Sequence, residues 1–419
     1  MRWVQSQLGS RLNATLHDVS SSPRGVVADL TEEELLAEVL PLLAGPRRDR
    51  LGPGDDAAIL ESAGAIVATT DTMVRGRDWR DDWSSPEDVA AKVLIANLAD
   101  VAAMGAVPTS ILCTLVLDPQ TPVDWVLRFA RGLGEQCRRY AVSVAGGDLS
   151  SAPAGVAMVT IAAFGELPGD PVLRSGARPG HVLAVTGPLG RSGVGLALLE
   201  GASAGGPVGG ELPAAGVAHH LRPSSPLGQG PIAAAAGASA MLDVSDGLSR
   251  DAARLARASG VVVRIDGSAL APDLNWAETY LPRDLARACV LNGGEEHSLL
   301  ATFPNAASVP AYWRVLGRVE TVPDGANPQV FLDERPLAEA GCWPQELITR
   351  LHHVLSILTE HDQSMPVVSK SPPTLFLQES KRFPCRRPSV LAYEEDTLTV
   401  DFRHQSRLEA LDQRPGMAR

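Results

Sequence analysis

From about residue 26 to residue 344 the chain alternates short β-branched runs with longer stretches of helical period, and this alternation limits its fold. Ile66-Val-Ala-Thr-Thr70 reads as a short buried strand, as do Thr109–Leu117, Val142–Ala145 and Val156–Phe164. Between them, Thr31 caps a helix rich in early acids that runs to Leu43. Pro86-Glu-Asp88 opens a long helix that closes at Gly105, a left-handed cap, and Trp125–Tyr140 carries apolar residues at helical spacing. After the turn Arg174–Gly180 the alternation resumes: strand Val182–Thr186, helix Val194–Leu199, strand Met241–Val244, helix Leu248–Ser259, strands Val261–Ile265, Leu299–Phe303 and Val315–Val319. Such an order predicts a mixed α/β (α+β) protein. At roughly 100–200 residues per domain, it predicts two domains, 26–172 and 173–344.

The pattern stops near residue 345. Residues 345–419 hold ten acids, ten bases and one of the chain's 39 glycines, so the net charge of −12 belongs to the rest. A short helix at Leu351–Leu358 and a loosely ordered tail are expected there, with a second poorly ordered segment over 1–25. Residues 1–22 have no apolar core of a leader peptide, and no charge-free apolar run is long enough to span a membrane. Five scattered cysteines without a C-x-x-C fit a reducing, cytoplasmic setting. An acidic chain without a basic stripe is a poor partner for nucleic acid. Lysine occurs only at 92, 370 and 381, so a P-loop is excluded, and no dinucleotide-binding G-x-G-x-x-G opens a helix.

The chemistry lies in a set of aspartates at glycine turns or after apolar runs: Asp55-Asp56, Asp71, Asp100, Asp148, and Asp243 with Asp246. Turn geometry accounts for any one of them. Asp71 and Asp148 are expected at strand tips, and Asp100 lies late on an otherwise apolar helix, where a charge needs a partner. If these carboxylates converge, each pair at 4 Å costs about 4 kcal/mol at an effective dielectric of 20. Only cations relieve that, and hard oxygen donors without a His/Cys set point to Mg²⁺. The residues alone thus indicate a Mg-nucleotide enzyme without a P-loop.

The segments Asn97-Leu-Ala-Asp-Val-Ala-Ala-Met-Gly-Ala106, Gly146-Gly-Asp148, Arg174-Ser-Gly-Ala-Arg-Pro-Gly180, His220-Leu-Arg-Pro223, Asp243-Val-Ser-Asp-Gly-Leu248 and Leu291-Asn-Gly-Gly-Glu-Glu296 occur in order. Together they resemble the thiamine-monophosphate kinase family, of the aminoimidazole-ribonucleotide-synthase-like ATP-binding superfamily, over about three quarters of the chain. The resemblance implies transfer of the ATP γ-phosphoryl to thiamine monophosphate. It also implies an N-terminal sheet domain that pairs with a second subunit, followed by a C-terminal α/β domain. By motif, Asp56, Asp71, Asp100, Asp148, Asp243 and Asp246, with Thr69 and Thr70, are expected to bind Mg²⁺. Asp148 and Asp71 are the expected catalytic pair. Gly147, Asp148, Arg174 and Ser245 are expected to contact ATP, and Glu295 the thiamine phosphate.

Two departures touch the acceptor side. The family pair His-Phe is replaced by Asp78-Trp79, and Glu296 stands where the family has Asp. Ionised Asp78 cannot donate a hydrogen bond and would repel a phosphate, whereas Trp79 keeps an aromatic surface for a thiamine ring or for packing. His219 and His220 read as loop or packing residues. Two alternatives stay open: another ATP-using synthetase of the superfamily, or a degenerate nucleotide-binding regulator. A selenophosphate synthetase would carry a reactive cysteine near its start, and none precedes Cys113.

Overall fold

Thr31 begins the ordered core by accepting the Glu34 amide while Glu34 reaches back to the Thr31 amide, a reciprocal cap. The computed structural model describes residues 25–45, 49–53, 57–203 and 214–339. Most of the expected N-terminal segment (1–24), the whole of the 345–419 tail, and Asp55 and Asp56 lie outside the described residues.

The first half contains α1 (Glu32–Val39), β1 (Asp49–Leu51), β2 (Ile59–Leu60), β3 (Ile66–Val74), α2 (Pro86–Ala103), β4 (Val107–Leu117), α3 (Val123–Tyr140), β5 (Ser143–Ser151) and β6 (Ala157–Glu166). The second contains β7 (Val182–Val185), α4 (Arg191–Ser203), α5 (Ala214–Leu221), α6 (Gln229–Ala235), β8 (Ala240–Asp243), α7 (Leu248–Ser259), β9 (Val262–Ile265), α8 (Ala271–Glu278), α9 (Arg283–Asn292), β10 (Leu299–Phe303), β11 (Arg314–Glu320), β12 (Gln329–Leu332) and β13 (Arg335–Pro336). The fold is α+β. β3-β6-β4-β5 form a four-stranded sheet, and β13-β12-β9-β11-β7-β10-β8 a seven-stranded one. Among the strands of the described residues, only β4–β5 and β9–β12 pair parallel.

The sequence boundaries hold for the long helices and shift for two strands. β3 continues four residues past Thr70, and β5 runs through Gly147 and Asp148 to Ser151. Asp71 and Asp148 are therefore mid-strand and not at strand tips. The physical reason is that β3 and β5 are the two edges of their sheet, where an acid can face water while its backbone pairs with one neighbour. Gly147 makes β5 possible at this point: a Cβ there would lie 1.8 Å from the Cys113 carbonyl oxygen. Helices α5, α6, α8 and α9 were illegible as sequence because they are short and interrupted by Gly, Pro or polar residues.

Helix α2 is the spine. Except for Glu87, Asp88 and Asp100, all its residues are buried, as expected of a helix apolar on every side. It packs on α3, β3 and β6, and also on β8 of the second half. One apolar cluster accordingly runs from Leu94, Leu98, Phe129 and Ile161 to Met241, Leu299 and Phe303. A second, with Leu183, Leu255, Val263 and Leu300, packs α7 and α9 against the seven-stranded sheet.

The helix stops where the sequence predicted. Gly105 has φ +79°, directly after Met104, and its amide bonds to the Ala102 carbonyl. Gly105→Ala would strain the backbone and bring a methyl to 2.9 Å from the Ala234 Cβ. Its expected cost is about 1–3 kcal/mol of unfolding free energy, measured by denaturant titration; a change within error would mean the cap is dispensable.

Candidate active site

α2, β3, β8 and the loop before β10 bring acids from the two halves to one place. From α2, Asp100 accepts the Thr69 hydroxyl at 2.9 Å, and Asn97 accepts the Asp71 amide at 2.9 Å while its own amide group bonds to the Val93 carbonyl. β8 ends on Asp243, which is buried and pairs through Oδ2 with His297 Nδ1 at 3.1 Å. Asp246 follows in the turn before α7, its carboxylate held by Arg254, which also bridges to buried Asp251.

These groups feel one another. Burial, and then Asp243 and Asp71, push the Asp100 carboxyl up to about 6; the Thr69 hydroxyl and His297 oppose this weakly. Burial, Asp243 and Asp246 likewise raise Asp71 above the usual carboxylate range. Burial lowers His297, but its bond to Asp243 and the surrounding acids outweigh that and raise it. Asp251, which the sequence reading passed over, is pushed up to about 7, chiefly by burial.

Thr69, Asp71, Asp100, Asp243 and Asp246 therefore form one anionic basin. Thr70 and Asp148 do not join it within one chain. Thr70 turns its hydroxyl to the Ile161 carbonyl at 3.0 Å. Asp148 shares a cross-strand row with Thr114, Thr160 and Thr72, whereas Asp71 shares the next row with Ile161, Cys113 and Gly147. Adjacent rows point to opposite faces. The two acids also occupy opposite sheet edges, three strand spacings or about 14 Å apart. Asp148 is exposed and accepts the Ser150 hydroxyl at 2.6 Å. Arg174 is also remote: its carbonyl accepts from Ser259, at the end of α7 away from Asp246, and that helix is about 18 Å long.

Beside the basin a cleft of about 640 Å³ separates the 76–92 segment from the 245–295 loops. Ser245, Asp246, Asp78, Trp79 and Glu295 all line it. Asp78 folds its carboxylate back to accept the Val74 amide at 2.8 Å, so it serves the 74–79 turn. Trp79 is only 3% exposed and stacks on Trp125, so most of its ring packs in the core.

The sequence reading missed the cleft's buried polar floor. Lys92, the one lysine among the described residues, is buried and pairs with Glu295 at 2.9 Å. Burial raises the Glu295 carboxyl, but Lys92 and His220 outweigh that and hold it below the usual range. His219 and His220 are buried too, as a packing reading required, yet they face acids: His219 lies 3.1 Å from Glu296, and His220 3.4 Å from Glu295. His220 also meets the Ser192 hydroxyl at 3.0 Å, and burial pushes it down to about 3, so it is neutral. Glu296 accepts the Ser192 amide at 2.6 Å from inside the protein.

Two non-glycine residues in the left-handed region build this floor. Glu295 and His297 have φ +59° and +52°, and their amides bond to the Ser245 and Val244 carbonyls. The alternation aims Glu295 into the cleft, Glu296 inward to Ser192 and His297 to Asp243. Backbone strain of this kind concentrates at functional sites. The lone lysine was the available signal: a charge inside an apolar helix needs a partner.

Among the described residues no three His, Cys, Asp or Glu side chains close on a point that could hold a metal. The basin is therefore not an all-protein cage. It does fit Mg²⁺, which keeps several waters and takes one or two carboxylates together with substrate phosphates.

Residues 54–167 match the family described as AIR synthase related protein, N-terminal domain, and residues 178–304 its C-terminal domain. The chain is 44% identical over 274 residues to thiamine-monophosphate kinase of Mycobacterium tuberculosis, covering 64% of this chain and 79% of that protein. It is 39% identical over 308 residues to the enzyme of that name from Corynebacterium glutamicum, covering 70% and 87%. Among solved structures, thiamine-monophosphate kinase from Stenotrophomonas maltophilia superposes with a TM-score of 0.61 at 28% identity, over 74% of this chain and 98% of that one. AaThiL complexed with AMPPCP and TMP superposes with a TM-score of 0.60 at 29% identity, over 78% and 99%.

The raised Asp100 gives a pH test. Its folded pKa of about 6 exceeds the ordinary 3.8, so its stabilising contribution is full below pH 4 and is lost as pH rises through 6. With a chelator present, Asp100→Asn should be more stable than the parent above pH 6, by on the order of 1–3 kcal/mol. The gap should close toward pH 4 in thermal or denaturant melts. An Asn variant no more stable than the parent at pH 8 would take Asp100 out of the repelling set.

Proposed function

We propose, from the premise that this chain belongs to the thiamine-monophosphate kinase family, that its basin and cleft phosphorylate thiamine monophosphate to thiamine diphosphate at the expense of ATP. The observation that carries the reading is the meeting of Asp71 and Asp100 from the first half with Asp243 and Asp246 from the second, beside a cleft lined by Ser245 and Glu295. A terminal oxygen of the acceptor phosphate attacks the γ-phosphorus; the bond to the β,γ-bridging oxygen breaks and ADP leaves. The acceptor is already an anion, so no strong general base is required. The obstacle is the approach of two polyanions. Mg²⁺ held by Asp71, Asp100, Asp243 and Asp246 would neutralise phosphate charge there.

The chain's own groups do the positioning. Thr69 fixes Asp100, Asn97 fixes the backbone of Asp71, and His297 fixes Asp243. Ser245 and Glu295 line the cleft side by side, the Glu295 amide bonding to the Ser245 carbonyl; Ser245 would meet the nucleotide and Glu295 the acceptor. Asp78 accepts the Val74 amide through Oδ2 at 2.8 Å, so its carboxylate is turned back on the 74–79 turn.

Gly147 and Asp148 would enter through a second copy of the chain. The sheet face carrying Leu112, Val116, Met158, Ala162 and Phe164 alternates with the buried helix-packed face and stays half-exposed. A homodimer joined through this face would cover apolar surface and carry the partner's Asp148 toward the basin. The two family matches end at 167 and begin at 178, which supports the division into domains 26–172 and 173–344. Buried thiols outside any disulfide at Cys113 and Cys137 support a cytoplasmic location; among the described residues no helix is long and apolar enough to cross a membrane.

Incubation with Mg-ATP and thiamine monophosphate should yield ADP and thiamine diphosphate in equal amounts; ATP binding without product would leave only a nucleotide-binding protein. Asp71→Asn and Asp148→Asn should each cut kcat by roughly 10²-fold or more without loss of fold. Co-refolded in equal amounts, the two inactive chains should recover roughly a quarter of parental activity, since half the dimers would contain one intact site of two. No recovery would place Asp148 in its own chain's site or outside any site.

A further inference from the structure

Lys92 is an unusual residue for its position. It projects from the most buried helix of the protein, its side chain 4% exposed, and it still lines the cleft. An ammonium removed from water is costly unless its hydrogens are matched. It has three N–H donors. One meets Glu295 Oε2 at 2.9 Å and another the Asp78 carbonyl at 3.2 Å. The third has no acceptor among the described residues. Close to it stand the carboxylate of Glu295, 2.9 Å away, and the uncharged His220, while the other cations of the cleft lining, Arg77 and Arg80, belong to the 76–80 segment. Without Lys92 a phosphate here would meet the Glu295 carboxylate unopposed.

We propose that Lys92 is a specificity-determining residue that binds the phosphate monoester of the acceptor through its third N–H, while Glu295, fixed by the same ammonium, faces the acceptor's cationic ring. The inference rests on the reading of the cleft as the thiamine monophosphate site and names which group recognises which end of that substrate. Thiamine monophosphate carries a fixed positive ring and an anionic phosphate on one flexible arm. A Lys–Glu pair presents the complementary charges side by side. The burial of Lys92 strengthens its contact with a phosphate oxygen, since little water competes for the proton. It also explains why a chain that otherwise uses arginine keeps a lysine here. A planar guanidinium fork is larger and could not easily meet Glu295, the Asp78 carbonyl and a ligand from inside a helix packed on all sides.

The test compares two ligands that differ only in the phosphate. Binding of thiamine monophosphate and of thiamine is measured by calorimetry on the full chain with Mg²⁺ and a non-hydrolysable ATP analogue, for the parent, Lys92→Met and the double variant Lys92→Met/Glu295→Gln. The double variant leaves no carboxylate unpaired, so it guards against misfolding of the single one. In both, affinity for thiamine monophosphate should fall roughly 10- to 100-fold, and the preference over thiamine should fall by the same factor. In the single variant, thiamine affinity should stay within about twofold of the parent or rise, because Glu295 keeps its charge. KM for ATP should not move. Equal weakening of both ligands in Lys92→Met, or recovery of thiamine monophosphate binding in the double variant, would overturn the inference and leave Lys92 as a support for Glu295. A parent protein that neither binds nor converts thiamine monophosphate would overturn the functional reading itself, a result separate from either of these.

Discussion

Helix α2 is enclosed on every side, and the polar groups it carries must find partners in protein and not in water. Lys92 finds Glu295, Asn97 finds the Asp71 amide, and Asp100 finds the Thr69 hydroxyl. Two of these contacts reach β3 and the third the loop before β10, so the burial of one helix sets the relative positions of those two elements. The apolar residues between them, Leu94, Ile95, Leu98 and Val101, join the cluster that continues to Met241 and Phe303. Site and core are thus two sides of one helix, and the site cannot drift without disturbing the packing.

The basin runs against folding. Asp71 and Asp100 are held protonated above their ordinary range by burial and by neighbouring acids, which is stability given up at neutral pH. Sites that gather polyanions have reason to keep such a deficit, because the cations that arrive with the substrate recover it. The floor of the cleft is built on the opposite principle. Lys92 pairs with Glu295 at 2.9 Å, and His219 lies 3.1 Å from Glu296, before any ligand binds. One part of the site is incomplete without a cation, and the other is preorganised.

Much of this was legible in the chain. The apolar period and caps located α2, α3 and α7 to within a few residues, since these helices are long and their termini carry standard chemistry. The acids at 71, 100, 243 and 246 stood out because each interrupts an apolar run or opens a glycine turn. What failed had a common cause. Asp148 follows Gly-Gly just as Asp71 follows Thr-Thr, yet strand order puts them at opposite edges and register puts them on opposite faces. His219 and His220 had no metal spacing, and their partners Glu296 and Glu295 come from more than seventy residues further along.

Sequence by itself determined the long helices and most of the longer strands, the oxygen-only chemistry of the acids and the departures at Asp78 and Glu296, because propensity, capping and donor type are properties of residues and their near neighbours. Tertiary structure decided which acids share one space, that Asp78 accepts a backbone amide, and that Lys92 meets Glu295 in the cleft. Those depend on sheet order and on left-handed backbone at Glu295 and His297, which bring together groups far apart in the chain and which no local pattern encodes.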